Sequence, residues 1–484
     1  MKRSILYIAS AVVLLGVSGC GKDFLTREPK LSQSTELTLS DYTGLNKATA
    51  GAYYYLTSNG WLGTSWVLNA EMRSGNGKKS DVANSNRYTQ PYTWNYTKTS
   101  TSGVWAYCYY AVAAANNVID NLDGKDVGDV TKQDLNNLKA ECLFIRALSH
   151  FCCVLTYGQP YTLCAKDAAY KESLGVPYVY HTDPAGLPAR ETVISNYNSI
   201  VADLTEAENI IAPDYVRSGV KDAKATVDIY AIEALLSRVY LYMGEWQKSA
   251  DYATKVINSG KFKLWSQKEY RTVWNEDVAA EGGEVIFEIY GSKNNDSYGS
   301  WEDISYLTNP NGSGDTQAAA PLLALYGEGD VRGEIYRTDD KDETGVYWTA
   351  KYKGKGEGTP DCNNVIFLRL SEMYLNRAEA AMNGASTGST AIKDINAVSQ
   401  IRGGKTYTSV GQTDIETERR IEFAWEGQYL YDLARWNKAV SRTAGDYPLC
   451  TDNLNVAFPS YHWALPIPNR EIELNPNLVQ NPLN

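Results

Sequence analysis

Apolar residues recur at helical spacing in paired blocks along the chain. From Val104 to Asp120, VWAYCYYAVAAANNVID sets small and aromatic residues at three- and four-residue steps, which predicts a helix. Leu135 to Gly158 carries Phe144, Leu148, Phe151 and Leu155 on steps of four, three and four, and Gly158 with Pro160 ends the run. A second pair follows, with a helix to Met243, a turn at Gly244-Glu245 and a helix from about Gln247 to Ile257 that Asn258-Ser259-Gly260 stops. A third is expected from Phe367, where Phe367, Leu370, Tyr374, Ala378 and Ala381 share a face, with its partner over about Ala391 to Ile401. A last helix is expected from roughly Ile415 to Ala439, striped by Ile421, Trp425, Tyr429, Leu433 and Trp436. Glu284 to Tyr290 reads as a short buried strand. A single helix pair cannot bury its own apolar face, so such pairs stack. The expected fold is all-α, a scaffold of helix pairs with long irregular insertions and little sheet.

The pair ending near Gly260, with small alanines at Ala231, Ala234, Ala250 and Ala253, resembles a tetratricopeptide repeat, although it meets the consensus spacing only in part. Between the pairs the character changes. Residues 57–103 and 291–320 are rich in Trp, Tyr, Asn, Ser, Thr and Gly and show no sustained helical period. Long irregular insertions on a regular scaffold are where binding residues concentrate. The chain holds 12 Trp and 36 Tyr, more aromatic surface than a core requires. A sugar has an apolar C–H face and a hydroxyl edge, so aromatic rings can stack on one while amides, carboxylates and guanidinium groups bond the other. Trp61, Trp66, Trp94 and Tyr96, with Tyr298, Trp301 and Tyr306, are the candidate platform; Arg73, Asp81, Asn95 and Asn294 are the candidate edge contacts. Any one of these rings is as well explained by packing of its own loop, so the expectation concerns the set.

The chemistry of an enzyme is hard to find. There are 3 His; His150 lies inside an apolar helix face, where a satisfied core residue is the ordinary reading, and His181 and His462 lack ligand spacing. No nucleophile-elbow, phosphate-loop or zinc-protease motif occurs. Paired carboxylates across a sugar bond leave no sequence signature, so a helical glycoside hydrolase stays as a remote alternative to the expected non-enzyme. The acidic stretch from Asp120 to Asp129 lacks the ligand pattern of a calcium loop. Glu418, Arg419, Glu422 and Glu426 are placed to pair with one another on one helix face, a structural role. The net charge of −11 argues against nucleic acid, which needs basic patches. No cofactor or metal is expected. Cys108, Cys142, Cys152, Cys153, Cys164, Cys362 and Cys450 show no Cys-x-x-Cys pair and read mainly as buried thiols, with one or two disulfides possible in an exported protein.

The eighth cysteine differs. Lys2 and Arg3 precede an apolar stretch from Ile5 to Val17, too short to span a bilayer, and Ser18-Gly19-Cys20 follows. Leu15 to Cys20 resembles a bacterial lipobox, which implies cleavage before Cys20, acylation of Cys20 and a lipid anchor. The expected organisation is a signal peptide over 1–19, a lipidated Cys20 with a tether over 20–33, and one domain over 34–484.

Several blocks together resemble the SusD/RagB family of outer-membrane nutrient-binding lipoproteins: CGKDFL, LKAECLFIRALSHFCCVLTYG, LLSRVYLYMGEWQKSADYATKVINSGKF, EVIFEI, FLRLSEMYLNRAEAAMN, ERRIEFAWEGQYLYDLARW and ALPIPNREIELNPNLVQN. The Glu-Arg-Arg helix that ends in Asp-Leu-x-Arg-Trp and the Pro-Ile-Pro tail are the most specific; Cys152-Cys153 and GQPYTLC depart from the pattern. The resemblance implies tetratricopeptide-like pairs, a surface-exposed protein lipid-anchored in the outer membrane, and a partnership with a SusC-like TonB-dependent transporter, to which the protein hands oligosaccharide. Relatives similar to RagB capture peptides instead. Ligand residues of the family fall in segments corresponding to 57–103 and 280–320, which carry no shared motif.

Overall fold

A computed structural model describes residues 38–80, 85–100, 103–122, 130–292, 301–337, 347–355, 361–450 and 452–483. The expected signal peptide, Cys20 and tether lie outside these residues, as do Asp81, Asn294 and Tyr298.

The chain forms the long helices α1 (Tyr42–Leu56), α2 (Ser65–Ser74), α3 (Gly103–Ile119), α4 (Lys132–Tyr157), α5 (Val193–Ile210), α6 (Ile229–Met243) and α7 (Trp246–Asn258). Towards the C-terminus follow α8 (Leu370–Met382), α9 (Ala391–Ile401), α10 (Gln412–Glu422) and α11 (Tyr429–Arg435). The four sheets among the described residues have two strands each. The fold is helix-rich, as the paired apolar faces predict.

Local chemistry sets the helix ends. Thr131 and Asp134 form a reciprocal capping box at the start of α4. Asp228 Oδ1 accepts the Ala231 N–H at 2.8 Å to start α6, and Gly244, at φ 76°, ends it in the left-handed conformation. Each helix packs on the next: α1 on α3, α3 on α4, α4 on α5, α6 on α7, α7 on α8, and α8 on α9. Ser237 and Ser249 donate to each other's carbonyls at 3.0 and 2.9 Å, and such small side chains let α6 and α7 approach closely.

A buried arginine–carboxylate fork ties many of these interfaces. Arg146 of α4 grips Asp203 of α5 with two bonds of 2.7 Å, and Arg238 of α6 grips Glu372 of α8 with two of 2.6 Å. Arg377 and Asp394 join α8 to α9 at 2.7 and 2.8 Å; Arg435 and Glu379 join α11 to α8 at 2.6 and 2.7 Å. Bidentate pairs hold both distance and orientation.

Two expectations need correction. The strand Val285–Ile289 pairs antiparallel with Val365–Arg369, so Phe367 lies in a strand and the helix starts at Leu370. The long helix expected from Ile415 is two helices, broken after Glu422, where Trp425 (φ 64°) and Gly427 (φ 73°) are left-handed. A Cβ on Gly427 would lie 3.2 Å from Val67 Cα, and its N–H donates to Glu71 at 3.0 Å, so the break is where α2 docks.

Glu418, Glu422 and Glu426 are buried, and their partners come from distant segments. Arg332, Arg369 and Arg402 converge on Glu422, with Arg332 also bonded to Asp330 and Glu418, Arg369 to Glu284 and Glu426, and Arg402 to Glu284. Arg419 pairs with Asp432 at 2.9 Å. His150 is a satisfied core residue: Nδ1 bonds the Arg146 carbonyl at 2.9 Å, Nε2 accepts the Val179 N–H at 3.2 Å, and the ring stacks on Tyr178. The seven cysteines from Cys108 to Cys450 are buried, and among the described residues no disulfide joins them.

Candidate functional site

The two polar insertions meet. Gly77–Lys79 pairs antiparallel with Thr316–Ala318, in the register Gly77 with Ala318 and Lys79 with Thr316. Beyond the strands, the Ser80 N–H donates to the Asp315 carbonyl at 2.8 Å and Gln317 Nε2 to Ser80 Oγ at 3.0 Å. Arg87 then clamps the second insertion, its Nε donating to Glu302 at 2.8 Å and its Nη1 to Asp315 at 3.3 Å. Despite partial burial, which acts the other way, Glu302 and Asp315 hold the Arg87 guanidinium above its ordinary pKa.

Trp301 stands beside this clamp with 73% of its surface exposed, the most exposed large hydrophobic residue among those described. Tyr306 is half-buried, and its carbonyl accepts the Ser313 N–H at 3.0 Å. That turn needs Gly312, since a Cβ there would lie 2.3 Å from the Tyr306 carbonyl oxygen. On the outer edge of Thr316–Ala318, the Ala318 N–H donates to the carbonyl of Tyr347, which is 37% exposed. The patch therefore offers Trp301 and Tyr347 as exposed rings and Arg87, Glu302 and Ser313 as polar groups. Arg87, Glu302 and Tyr347 were not among the expected site residues. Arg87 and Glu302 lie 215 positions apart, so their pairing leaves no local signal.

Four expected residues are core residues instead. Trp61 and Trp94 are fully buried, and Trp66 and Arg73 nearly so. Trp66 stacks on Tyr431 of α11 with centroids 4.8 Å apart. Trp94 donates its indole N–H to the Arg73 carbonyl at 3.0 Å and meets Trp463 edge to face. The Arg73 guanidinium lies 4.2 Å from the Trp94 ring and 5.7 Å from the half-buried Tyr96, and its Nη2 donates to the His462 carbonyl at 3.1 Å. Burial lowers its pKa. Asn95 is exposed next to this packed set. A ring without an exposed face cannot stack on a ligand, so Trp61, Trp66 and Trp94 contribute by anchoring the first insertion.

The SusD family model matches residues 336–483, and a second model, described as starch-binding associating with outer membrane, matches residues 23–241. SusD-like protein P2 of Formosa agariphila is 25% identical over 98% of each chain. The chain belongs to the SusD/RagB family. A SusD superfamily protein of Bacteroides thetaiotaomicron is 28% identical and superposes with a TM-score of 0.80 over 92% of this chain and 100% of its own. The fold is shared with surface glycan-binding protein A of the same organism, in complex with laminarihexaose, at a TM-score of 0.72, 21% identity and coverage of 91% of this chain and 99% of that one.

Proposed function

We propose that this protein binds oligosaccharide on the face where the two insertions join, and delivers it to a SusC-like TonB-dependent transporter. The observation that carries this reading is Trp301, a tryptophan 73% exposed beside a charged clamp that the fold holds in place. An indole kept in water at this cost of apolar exposure suits a ligand with its own apolar face. Arg87, Glu302 and Ser313 supply the polar rim, and the starch-binding description of the matching family model supports a carbohydrate. Asp81, Asn294 and Tyr298, which fall in the same two insertions of the sequence, are proposed as further ligand residues. An open site of this kind is expected to bind at about micromolar to millimolar Kd, roughly −8 to −4 kcal/mol, which suits a relay.

The protein is proposed to be a lipoprotein of the outer membrane, exposed at the cell surface and held by acylated Cys20, with no catalytic role. A combined glycan and peptide array, probed with the full chain and with Trp301→Ala, tests the reading. A glycan signal weakened by the substitution supports it. A peptide signal in place of glycan replaces it with a RagB-like function, and release of reducing ends from a bound glycan replaces it with a hydrolase.

A further inference from the structure

A second cleft, of about 370 Å³, lies between the end of α1, the segment around Asp222 and the end of the strand Val285–Ile289. Its size falls within the range of about 300–1,000 Å³ usual for small-molecule sites. The walls are apolar: Tyr53, Tyr54, Leu56, Phe287 and Ile289. The Tyr53 hydroxyl is already committed, donating to Glu141 at 2.6 Å and accepting from the Val227 N–H at 3.0 Å, so Tyr53 offers only its ring. Tyr54 is half exposed at the mouth.

The polar lining includes two carboxyl groups. Asp222 and Glu288 are each 3% exposed. Asp222 Oδ1 accepts the Lys224 N–H at 2.8 Å, whereas its buried Oδ2 takes no N–H or hydroxyl among the described residues. Glu288 Oε1 accepts from Asn364 at 2.9 Å. Burial, and then the adjoining Asp222, raise the Glu288 carboxyl far above the usual range. Two acids in such contact do not have the separation of about 5 Å or more that a glycosidase pair needs. Among the described residues no group of three or more His, Cys, Asp or Glu is placed to hold a metal.

The rim has the opposite sign. Lys221 and Lys355 share the single carboxylate of Asp277, which leaves the rim one positive charge in excess, and the Lys355 ammonium sits 4.0 Å from the centre of the Tyr290 ring that borders the cleft. A cationic ligand would meet these ammonium groups, and an anionic one the carboxyl oxygens of Asp222 and Glu288. A neutral ligand that donates hydroxyls and presents an apolar ring face satisfies both. We propose that this cleft is a second carbohydrate site, which takes one neutral pyranose ring with its hydroxyls donating to Asp222 and Glu288 and its C–H face against the rings of Tyr53 and Tyr54. The site is distinct from the Trp301 face and stands or falls independently of it.

Saturation-transfer NMR on the full chain, with the methyl pyranosides of glucose, galactose, mannose and xylose and with butylammonium as the cationic probe, tests this. Ala50→Trp fills the cleft from an exposed position of α1, and Tyr54→Ala removes the wall at the mouth; thermal melts check that both variants fold. With Trp301→Ala as the common background, so that the insertion face does not contribute, the expected result is transfer to at least one pyranoside, weakened about tenfold when either cleft substitution is added. Transfer to none of the four, persistence in both cleft variants, or stronger transfer to butylammonium overturns the proposal. Loss in Trp301→Ala alone also overturns it, while leaving the insertion face intact as a glycan site.

Discussion

Replacing Glu422 by Gln should destabilise the protein more than any surface charge change. Glu422 receives Arg332 Nη1 at 3.1 Å and Arg402 Nη2 at 2.9 Å, besides Arg369, and all four side chains are buried. The substitution removes one negative charge from among three guanidinium groups and turns an amide N–H₂ towards donors. Breaking a buried ion pair from one side costs about 3–5 kcal/mol. A 484-residue chain unfolding as a unit has an unfolding entropy of about 1 kcal/mol/K, so Tm should fall by about 3–5 °C. Glu334→Gln, which removes the exposed partner of Arg271, should cost under about 1 kcal/mol. The effect should also depend on pH. Burial opposes the ionised Glu422, but Arg402, Arg369 and Arg332 outweigh it and hold its pKa well below the usual carboxylate range. Such a group stabilises the fold above the unfolded carboxylate pKa, and that contribution is lost as pH falls through the folded value. The Tm gap between wild type and Glu422→Gln, measured by calorimetry, should therefore narrow as pH drops below about 4.5. A Glu422→Gln loss no larger than that of Glu334→Gln, or a gap that widens in acid, would refute the reasoning.

Other consequences are equally direct. Trp94→Ala should lower stability by about 3–5 kcal/mol, whereas Trp301→Ala should leave the thermal melt unchanged, since one ring is fully buried and the other mostly exposed. Burial pushes the Glu71 carboxyl up to about 7 against the bonds it accepts from Asn76 and Gly427; its neutral form is the favoured one, so wild-type stability should decline as pH rises from about 4.5 through about 7, and Glu71→Gln should flatten that slope in denaturant titrations. A Cys20→Ala protein should appear in the soluble fraction on cell fractionation; its retention in the membrane fraction would remove the proposed anchor.

How much of this was legible in the sequence depends on where each residue's partners lie. α3 and α7 bury one face, so their three- and four-residue steps could be read directly. α4 and α6, buried on nearly every side from Ala140 to Val154 and from Ala231 to Tyr242, were legible as long apolar runs whose ends Gly158, Pro160 and Gly244 marked. α2 could not be read that way. From Trp66 to Ser74 nearly every side chain is buried, including Glu71 and Arg73, and a helix buried on all sides has no polar face to set a period. Its aromatic and polar residues therefore looked like a loop surface, and Trp61, Trp66 and Arg73 were misplaced with it. The break after Glu422 was also hidden, because Gly427 is fixed by contact with α2 in a distant part of the chain. Glu422 itself sits on a helical stripe that suggests partners four residues away, while its partners are Arg332, Arg369 and Arg402. For the site, the two insertions were legible by composition, but the contacts that join them, Gly77 to Ala318 and Arg87 to Glu302, are long-range.

Isothermal titration of the strongest array glycan into the wild-type full chain and into Trp301→Ala tests the central claim most directly. The account predicts saturable binding in the micromolar to millimolar range and a loss of about tenfold or more in affinity, roughly 1.4 kcal/mol or above, for the variant. Equal affinity of the two proteins for that glycan would contradict it.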